Sequence, residues 1–404
     1  MGSLLIAGGG IGGLTTALAC ARAGARVALF ERSTEFNEVG AGIQLGPNAM
    51  RVLYGLGLTQ ALDQRVAFPD QLQVRHALSG AALGRLRLGA AARRRYGAPY
   101  ATVHRADLQA LLVDAVREQG DVALHLNSVV QTVAQTDIAV RLQLGDERQV
   151  QGDVLVAADG GWSGIRRQLL ADGTPQPTGH LAYRAMVPQA DLPVSLRSQQ
   201  VTAWLGPRLH VVQYPVRGGD WLNVVAIVHG TPQGDMSHWD HSANAQDLQL
   251  AMAATCPSLK ALIGAIAYWR LWPLSIRPPM TGPHQHAVGR VALLGDAAHP
   301  MVPYLAQGAA MAIEDAATLA QVLAKAGVFA SGSTGESAVA QVPTLLQDYA
   351  SRRWQRNAQV QACAINNGKI FHATGLMRLG RDTALRLGGE RLLDQPWLYG
   401  GGPV

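Results

Sequence analysis

Cysteine is almost missing from this 404-residue chain: Cys20, Cys256 and Cys363 are the whole supply, and they stand far apart. Neither a disulfide framework nor a C-x-x-C metal site can be written with them, so a reduced, cytoplasmic setting and no metal are expected. Charged residues are also scarce, at 15%, too few for a disordered or heavily solvated chain. Long apolar runs are lacking too. None reaches the roughly 18 uninterrupted residues of a spanning helix, so no membrane association is expected. The apolar start, residues 3–24, has no positive flank and spaces its glycines for a turn, unlike a signal peptide. The 45 glycines and 20 prolines follow no triplet period, which excludes collagen-like and low-complexity readings. No internal repeat is found.

What is present is 48% hydrophobic residues over a length that suggests two or three domains with sizeable cores. Lys+Arg exceed Asp+Glu by 34 to 28, a net charge of +6. The dense basic run Arg93, Arg94 and Arg95 has Arg85 and Arg87 nearby, but no interleaved aromatics and no recognition motif. It reads as a solvated face, not a nucleic-acid site. The excess charge suits steering of a small anion.

The opening segment carries the strongest local pattern. Residues 3–7 form a short buried strand, the run Gly8 to Gly13 a glycine-rich turn, and residues 14–22 a helix with Gly24 at its C-cap. A second strand, residues 26–30, ends on Glu31. The spacing Gly8-x-Gly10-x-x-Gly13 fits a dinucleotide: Gly8 for the tight turn, Gly10 for approach of a pyrophosphate, Gly13 for close helix packing. Glu31 would accept from the ribose hydroxyls. Whether the dinucleotide is NAD or FAD is open at this point.

Two later segments bear on that choice. Asp153 to Gly160 is a buried strand ending in Asp159-Gly160, followed by Trp162-Ser163-Gly164-Ile165-Arg166-Arg167. Arg290 to Pro300 is another, ending in Gly295-Asp296 and followed by His299 and a long apolar helix at about 307–326. With GxGxxG, DG and GD motifs in this order, nearly the whole chain resembles the single-component FAD-dependent aromatic hydroxylases (group A flavoprotein monooxygenases). The segments Gly40-Ala41-Gly42-Ile43-Gln44-Leu45-Gly46-Pro47-Asn48 and His104-Arg105-Ala106-Asp107-Leu108 resemble the branch of salicylate, 3-hydroxybenzoate and 6-hydroxynicotinate hydroxylases.

The resemblance implies an α/β fold: a Rossmann-like FAD-binding domain interleaved with a mixed or antiparallel β-sheet substrate domain, plus C-terminal helices. The expected division is 1–72, 98–177 and 278–345 for FAD, 73–97 and 178–277 for substrate, and 346–404 for a helical tail, entered through a flexible stretch at 331–336. It further implies non-covalent FAD held by Gly8, Gly10, Ile11, Gly12, Gly13, Glu31, Arg32, Ala41, Gly42, Arg105, Gly295, Asp296, Gly308 and Ala309. NADH or NADPH is the implied co-substrate. With no second GxGxxG to house it, Asp159 and Arg166 would serve both flavin and nicotinamide, a salt bridge being the other reading of Arg166. The helix starting at Gln307-Gly308-Ala309 would aim free N–H groups at the flavin, where reduced flavin carries negative charge. Ala306 departs from the glycine usual in the family's Pro-x-x-Gly-Gln-Gly.

Between DG and GD the pattern turns to antiparallel strands, about 201–204, 209–215 and 221–228, the last two joined by Arg217-Gly218-Gly219-Asp220. Period two puts His210, Val212 and Tyr214 on one face. That face is either a pocket wall or ordinary core; the resemblance favours a wall facing the flavin. The implied reaction is NAD(P)H- and O₂-dependent hydroxylation of a small phenolic aromatic carboxylate, of 3-hydroxybenzoate or salicylate type, through a flavin C4a-hydroperoxide. His210 would take the phenolic proton or else be structural, Tyr214 and Tyr304 would orient the ring or its carboxylate, and Gln307 would donate to either. Two other readings remain: another ring (hydroxynicotinate, purine or quinolone), and a non-catalytic flavoprotein. No G-W-x-W-x-I-P segment supports a halogenase. The family often dimerises, so a homodimer is expected.

Overall fold

Apolar runs without polar interruption form parallel strands buried on both faces. In the computed structural model, which describes residues 2–36, 41–231, 241–242 and 245–403, the first sheet is built that way. Its parallel strands run in the order Val291–Leu293, Val154–Ala157, Ser3–Ala7, Arg26–Phe30 and Val122–His125, with Ala287–Val288 antiparallel at the edge. Ser3–Ala7 therefore sits in the middle, and the glycine turn leaves the sheet at its centre. The helix that follows, Ile11–Arg22, starts three residues earlier than the spacing predicts, because Gly10 is its N-cap. Gly12 and Gly13 thus lie inside the first turn. A Cβ on Gly13 would stand 1.9 Å from the Gly8 carbonyl oxygen. Only glycine lets helix and strand come this close.

The second sheet has eight strands in the order His241–Ser242, Arg270–Ile276, Gln176–Pro188, Trp221–His229, Leu209–Val216, Val201–Gly206, Gln71–His76 and Ala82–Arg87. Neighbours are antiparallel except Val201–Gly206 with Gln71–His76. Gln71 and Leu72, assigned above to the FAD part, therefore open a strand of this larger sheet. Alternation sorts its two faces. Tyr183, Val211, Leu222 and Val224 point to one side, where helix Pro257–Gly264 completes a core. Arg184, His210, Val212, Tyr214, Val225 and Ile227 point to the other, toward the first sheet's helices.

Helix Gly308–Lys325 packs on Ile11–Arg22 and on the long helix Val342–Phe371. Helices Gly375–Gly388, Glu390–Leu393 and Pro396–Tyr399 follow. The stretch at 331–336, expected to be flexible, instead leads into helix Ser333–Ala340, because Ala338 and Val339 pack on the main core. The chain's end returns to the start: Arg51 donates to the carbonyls of Tyr399 (2.7 Å) and Gly401 (2.5 Å).

Candidate active site

A cavity of about 240 Å³ lies between the two sheets. On one side it is walled by Gly10, Ile11 and Gly12 of the glycine turn, Gly295 and Asp296 of the GD turn, and Gln307, Gly308 and Ala309 at a helix start. Both helices that open here, Ile11–Arg22 and Gly308–Lys325, have no side-chain cap and no acidic residue in the first turn. Their unpaired N–H groups and positive dipole ends therefore face the same space, a ready anion and dinucleotide site. Arg105 adds a positive charge to the wall, and Gly42 lies close enough to the sheet that a Cβ would meet Tyr214 at 2.7 Å. Behind the turn, Glu31 accepts from the Gly9 N–H (2.6 Å) and the Ser33 N–H (2.9 Å). A carboxylate has about four acceptor directions, so it keeps some for ribose hydroxyls. These features fit FAD.

The opposite wall is the alternating face of the large sheet. His210 is 2% exposed and lines the cavity, while its Nδ1 lies 2.7 Å from Nε2 of His372. Burial, helped by His180, pulls its pKa to about 3, so the ring is neutral and Nε2 is the nitrogen left for a ligand. Arg184 stands two strands away, on Gln176–Pro188 beyond Trp221–His229, half-buried, with its guanidinium 4.8 Å over the Trp272 ring. Its Nε is buried without a hydrogen-bond partner, and no carboxylate pairs with it among the described residues. Burial pulls the guanidinium below its usual value, Tyr214 opposing and Arg105 adding to the effect.

Several expected residues are placed differently. Tyr214 lines the cavity with its ring, but its hydroxyl donates to the Gly42 carbonyl at 2.6 Å, so it is not free to hold a carboxylate. The Tyr304 hydroxyl is hydrogen-bonded with Nδ1 of His180 at 2.5 Å and its ring packs edge-on to His210; its neighbours Pro303 and Ala306 form the wall instead. Arg166 is 3% exposed and committed to structure: it pairs with Asp172 at 2.6 Å and donates to the carbonyls of Ala297 and Ala298. It braces the GD turn from behind and does not line this cavity. Asp159 accepts from Ser163 Oγ (2.6 Å) and the Ile165 N–H (3.3 Å), capping helix Gly164–Leu170, and burial pushes its carboxyl up. Arg32 is exposed and not on the wall. Gln307 accepts from Asn48 Nδ2 at 3.1 Å, which turns its own amide N–H groups toward the cavity it lines. Ala41 passes its carbonyl to the Arg105 N–H at 3.0 Å, tying the two segments together. Gly40 lies outside the described residues.

Beneath the helix start lies a buried ionic network. His299 Nε2 is 2.6 Å from Asp315, Arg353 bridges Asp315 and Glu314 (2.7 and 2.8 Å), and Arg356 meets Glu314 at 2.7 Å. Burial alone would raise the Asp315 carboxyl, but His299 and Arg353 hold it well below the usual range. The network anchors the helix to the long C-terminal helix.

Sequence reasoning missed Arg184, His180, His229 and His372. The signal for Arg184 was its even position on a strand whose even positions face the flavin side. The three histidines carry no shared spacing, since they come from two strands and the residue after Val342–Phe371.

A glycine cradle and two open helix ends, set against a wall carrying a neutral histidine and an unpaired arginine, define a flavin-dependent oxidoreductase. Comparison with known proteins agrees. Residues 2–362 match the family described as FAD binding domain. The chain is 35% identical over 399 residues to the 3-hydroxybenzoate 6-hydroxylase of Polaromonas naphthalenivorans (strain CJ2), covering 98% of this chain and 95% of that protein. It is 37% identical over 328 residues to a 6-hydroxynicotinate 3-monooxygenase of Bordetella bronchiseptica, covering 80% and 83%. A salicylate hydroxylase in complex with substrate superposes at a TM-score of 0.81 and 25% identity, covering 100% of this chain and 98% of that one. The chain belongs to the FAD-dependent aromatic-ring monooxygenases of the FAD-binding-domain family.

Proposed function

We propose that this enzyme hydroxylates a small phenolic carboxylate of the hydroxybenzoate type, using O₂ and NAD(P)H. The observation that carries the substrate class is Arg184: a half-buried guanidinium on the cavity wall with an unpartnered Nε. A buried cation lacking its counter-charge is costly, and a substrate carboxylate would complete it. His210 stands two strand positions from Val212, which faces Val225 and through it Arg184 across the sheet. One ring can thus present its carboxylate to Arg184 and its hydroxyl to His210.

Bound FAD, once reduced, supplies electrophilic oxygen from O₂ for transfer to the ring. The chain's own residues do the rest. Neutral His210 accepts the phenolic proton at Nε2, which makes the ring electron-rich. Arg184 orients the ring by its carboxylate, and Val212, Val225 and Ile227 keep water from its faces. The N–H groups of Gly308 and Ala309 stabilise negative charge on the reduced cofactor. The experiment is a panel of hydroxybenzoates, hydroxynicotinates and hydroxypurines, scored for ring-stimulated NAD(P)H oxidation and for product one oxygen heavier. Stimulation by a hydroxybenzoate with coupled product supports the reading; stimulation only by rings without a carboxylate overturns it.

A further inference from the structure

His210 is the inner end of a file of imidazoles. Its Nδ1 lies 2.7 Å from Nε2 of His372, and Nδ1 of His372 lies 3.0 Å from Nε2 of His229, which is exposed. Three separate elements meet to make it: strand Leu209–Val216, the residue after helix Val342–Phe371, and the last residue of strand Trp221–His229. Each of the three rings has a different nitrogen on each side, so the file is continuous from cavity wall to solvent. His180 flanks it, with its ring 4.5 Å from that of His229 and 4.8 Å from that of His372.

We propose that His372 and His229 form a proton relay that carries the substrate's phenolic proton from His210 to solvent. The relay rests on the reading that His210 faces the substrate hydroxyl. In the tautomers that leave Nε2 of His210 to accept, all three rings hold their proton on Nδ1. The phenol O–H bond breaks toward Nε2 of His210 while the Nδ1 proton of His210 passes to Nε2 of His372. The Nδ1 proton of His372 passes to Nε2 of His229, and that of His229 goes to water. One proton leaves the phenol, one enters solvent, and every ring ends neutral. Run inward, the same transfers return a proton to the departing product and restore the starting tautomers.

The surroundings favour a hand-over over storage. Burial pulls His210 to about 3 and His372 to about 2, the neighbouring His210, His180, His229 and Arg381 adding to the effect on His372. Neither ring can keep an extra proton at neutral pH, and a charge-neutral transfer creates no isolated buried cation. Among the described residues, the other titratable groups against the file are His180 and Tyr304 beside His210, Arg208 beside His229, and Arg381 with its partner Asp382 beside His372. Among the described residues none of these is a carboxylate in contact with the file, so none of them competes as an acid for the proton.

The test uses FAD-loaded enzyme holding 5-hydroxy-2-nitrobenzoate, whose phenolate absorbs visible light, in a stopped-flow jump to higher pH. His372→Gln and His229→Gln keep a hydrogen-bonding amide in place but cannot take a proton on one side and release it on the other. Phenolate is expected to appear at least about tenfold more slowly in both variants at low buffer, and to recover as free imidazole is added, with FAD content unchanged. A merely structural role would not respond to imidazole. Wild-type rates in both variants, or slowing that imidazole does not relieve, would overturn the relay while wild-type ionisation leaves the phenolic reading standing. Wild-type enzyme that neither binds nor ionises the phenol would overturn that reading, and the relay with it.

Discussion

Arg184, His210 and Glu31 make separable demands on single side chains, and each can be removed without touching the others. Replacing Arg184 with Gln removes a charge-assisted contact worth about 1.5–3 kcal/mol. KM for a hydroxybenzoate should rise roughly 10- to 150-fold, while a phenol lacking the carboxylate is little changed. An equal shift for both ligands would show that Arg184 does not read the carboxylate. His210→Ala should retain FAD, because the ring lies on the sheet wall and not in the glycine turn, yet hydroxylation should fall by roughly 10²–10⁴. Hydrogen peroxide release per NAD(P)H should rise as oxygen meets a less reactive ring; near wild-type rate and coupling would make His210 structural. Glu31→Ala should weaken FAD retention by a comparable 10- to 150-fold, read as flavin lost on gel filtration. At this scale His210 was legible by period two along one strand. The same period could have placed Arg184 on the flavin side, but not shown its importance, which lies in what fails to pair with it.

At the scale of elements, the site is two helix ends and a strand face brought to one cavity. The first helix end depends on Gly13, where a Cβ would stand 1.9 Å from the Gly8 carbonyl oxygen. Gly13→Ala must push the helix Ile11–Arg22 off its strand, an overpacking that costs roughly 1–3 kcal/mol. Lower denaturant midpoint together with loss of bound FAD is expected; unchanged FAD content would separate helix packing from cofactor binding. The DG segment shows how an element can hide its role. Asp159 and Arg166 sit in a motif that reads as ligand-binding, yet Asp159 caps its own helix and Arg166 clasps Asp172 and the carbonyls of the GD turn. Linear spacing cannot distinguish a side chain that meets a ligand from one that braces the loop which does.

For the whole molecule, the buried neutral histidines set an acid limit. His210 and His286 are both buried, 2% and 0% exposed, and each is pulled from 6.5 to about 3, mainly by burial. Their folded values lie below the unfolded ones, so below about pH 6.5 the unfolded chain binds protons the folded one refuses. Stability therefore rises with pH up to that point and is lost as pH falls through the window from about 6.5 to 3, at up to ~1.4 kcal/mol per pH unit for each ring. The lowered carboxyl of Asp315 adds a loss of the same sign at lower pH. Thermal melts should hold steady above about pH 7 and drop progressively below about pH 6; a melting temperature independent of pH across that range would contradict it.

The cofactor half was readable from the chain alone because its physics is local. A strand, a glycine turn, a helix and an acid at fixed spacing constrain backbone geometry over about thirty residues, and no distant contact is needed to see that a dinucleotide fits. Alternation likewise marked His210 and Tyr214 as sharing a face. The tertiary structure alone decided what those faces meet. Arg184 lies in register with Val225 and Val212 only because three strands pair in sequence, and His372 reaches His210 only because a thirty-residue helix, Val342–Phe371, ends over the sheet. Such contacts depend on strand register and helix length summed over most of the chain, and a side chain's neighbours in sequence carry no trace of them.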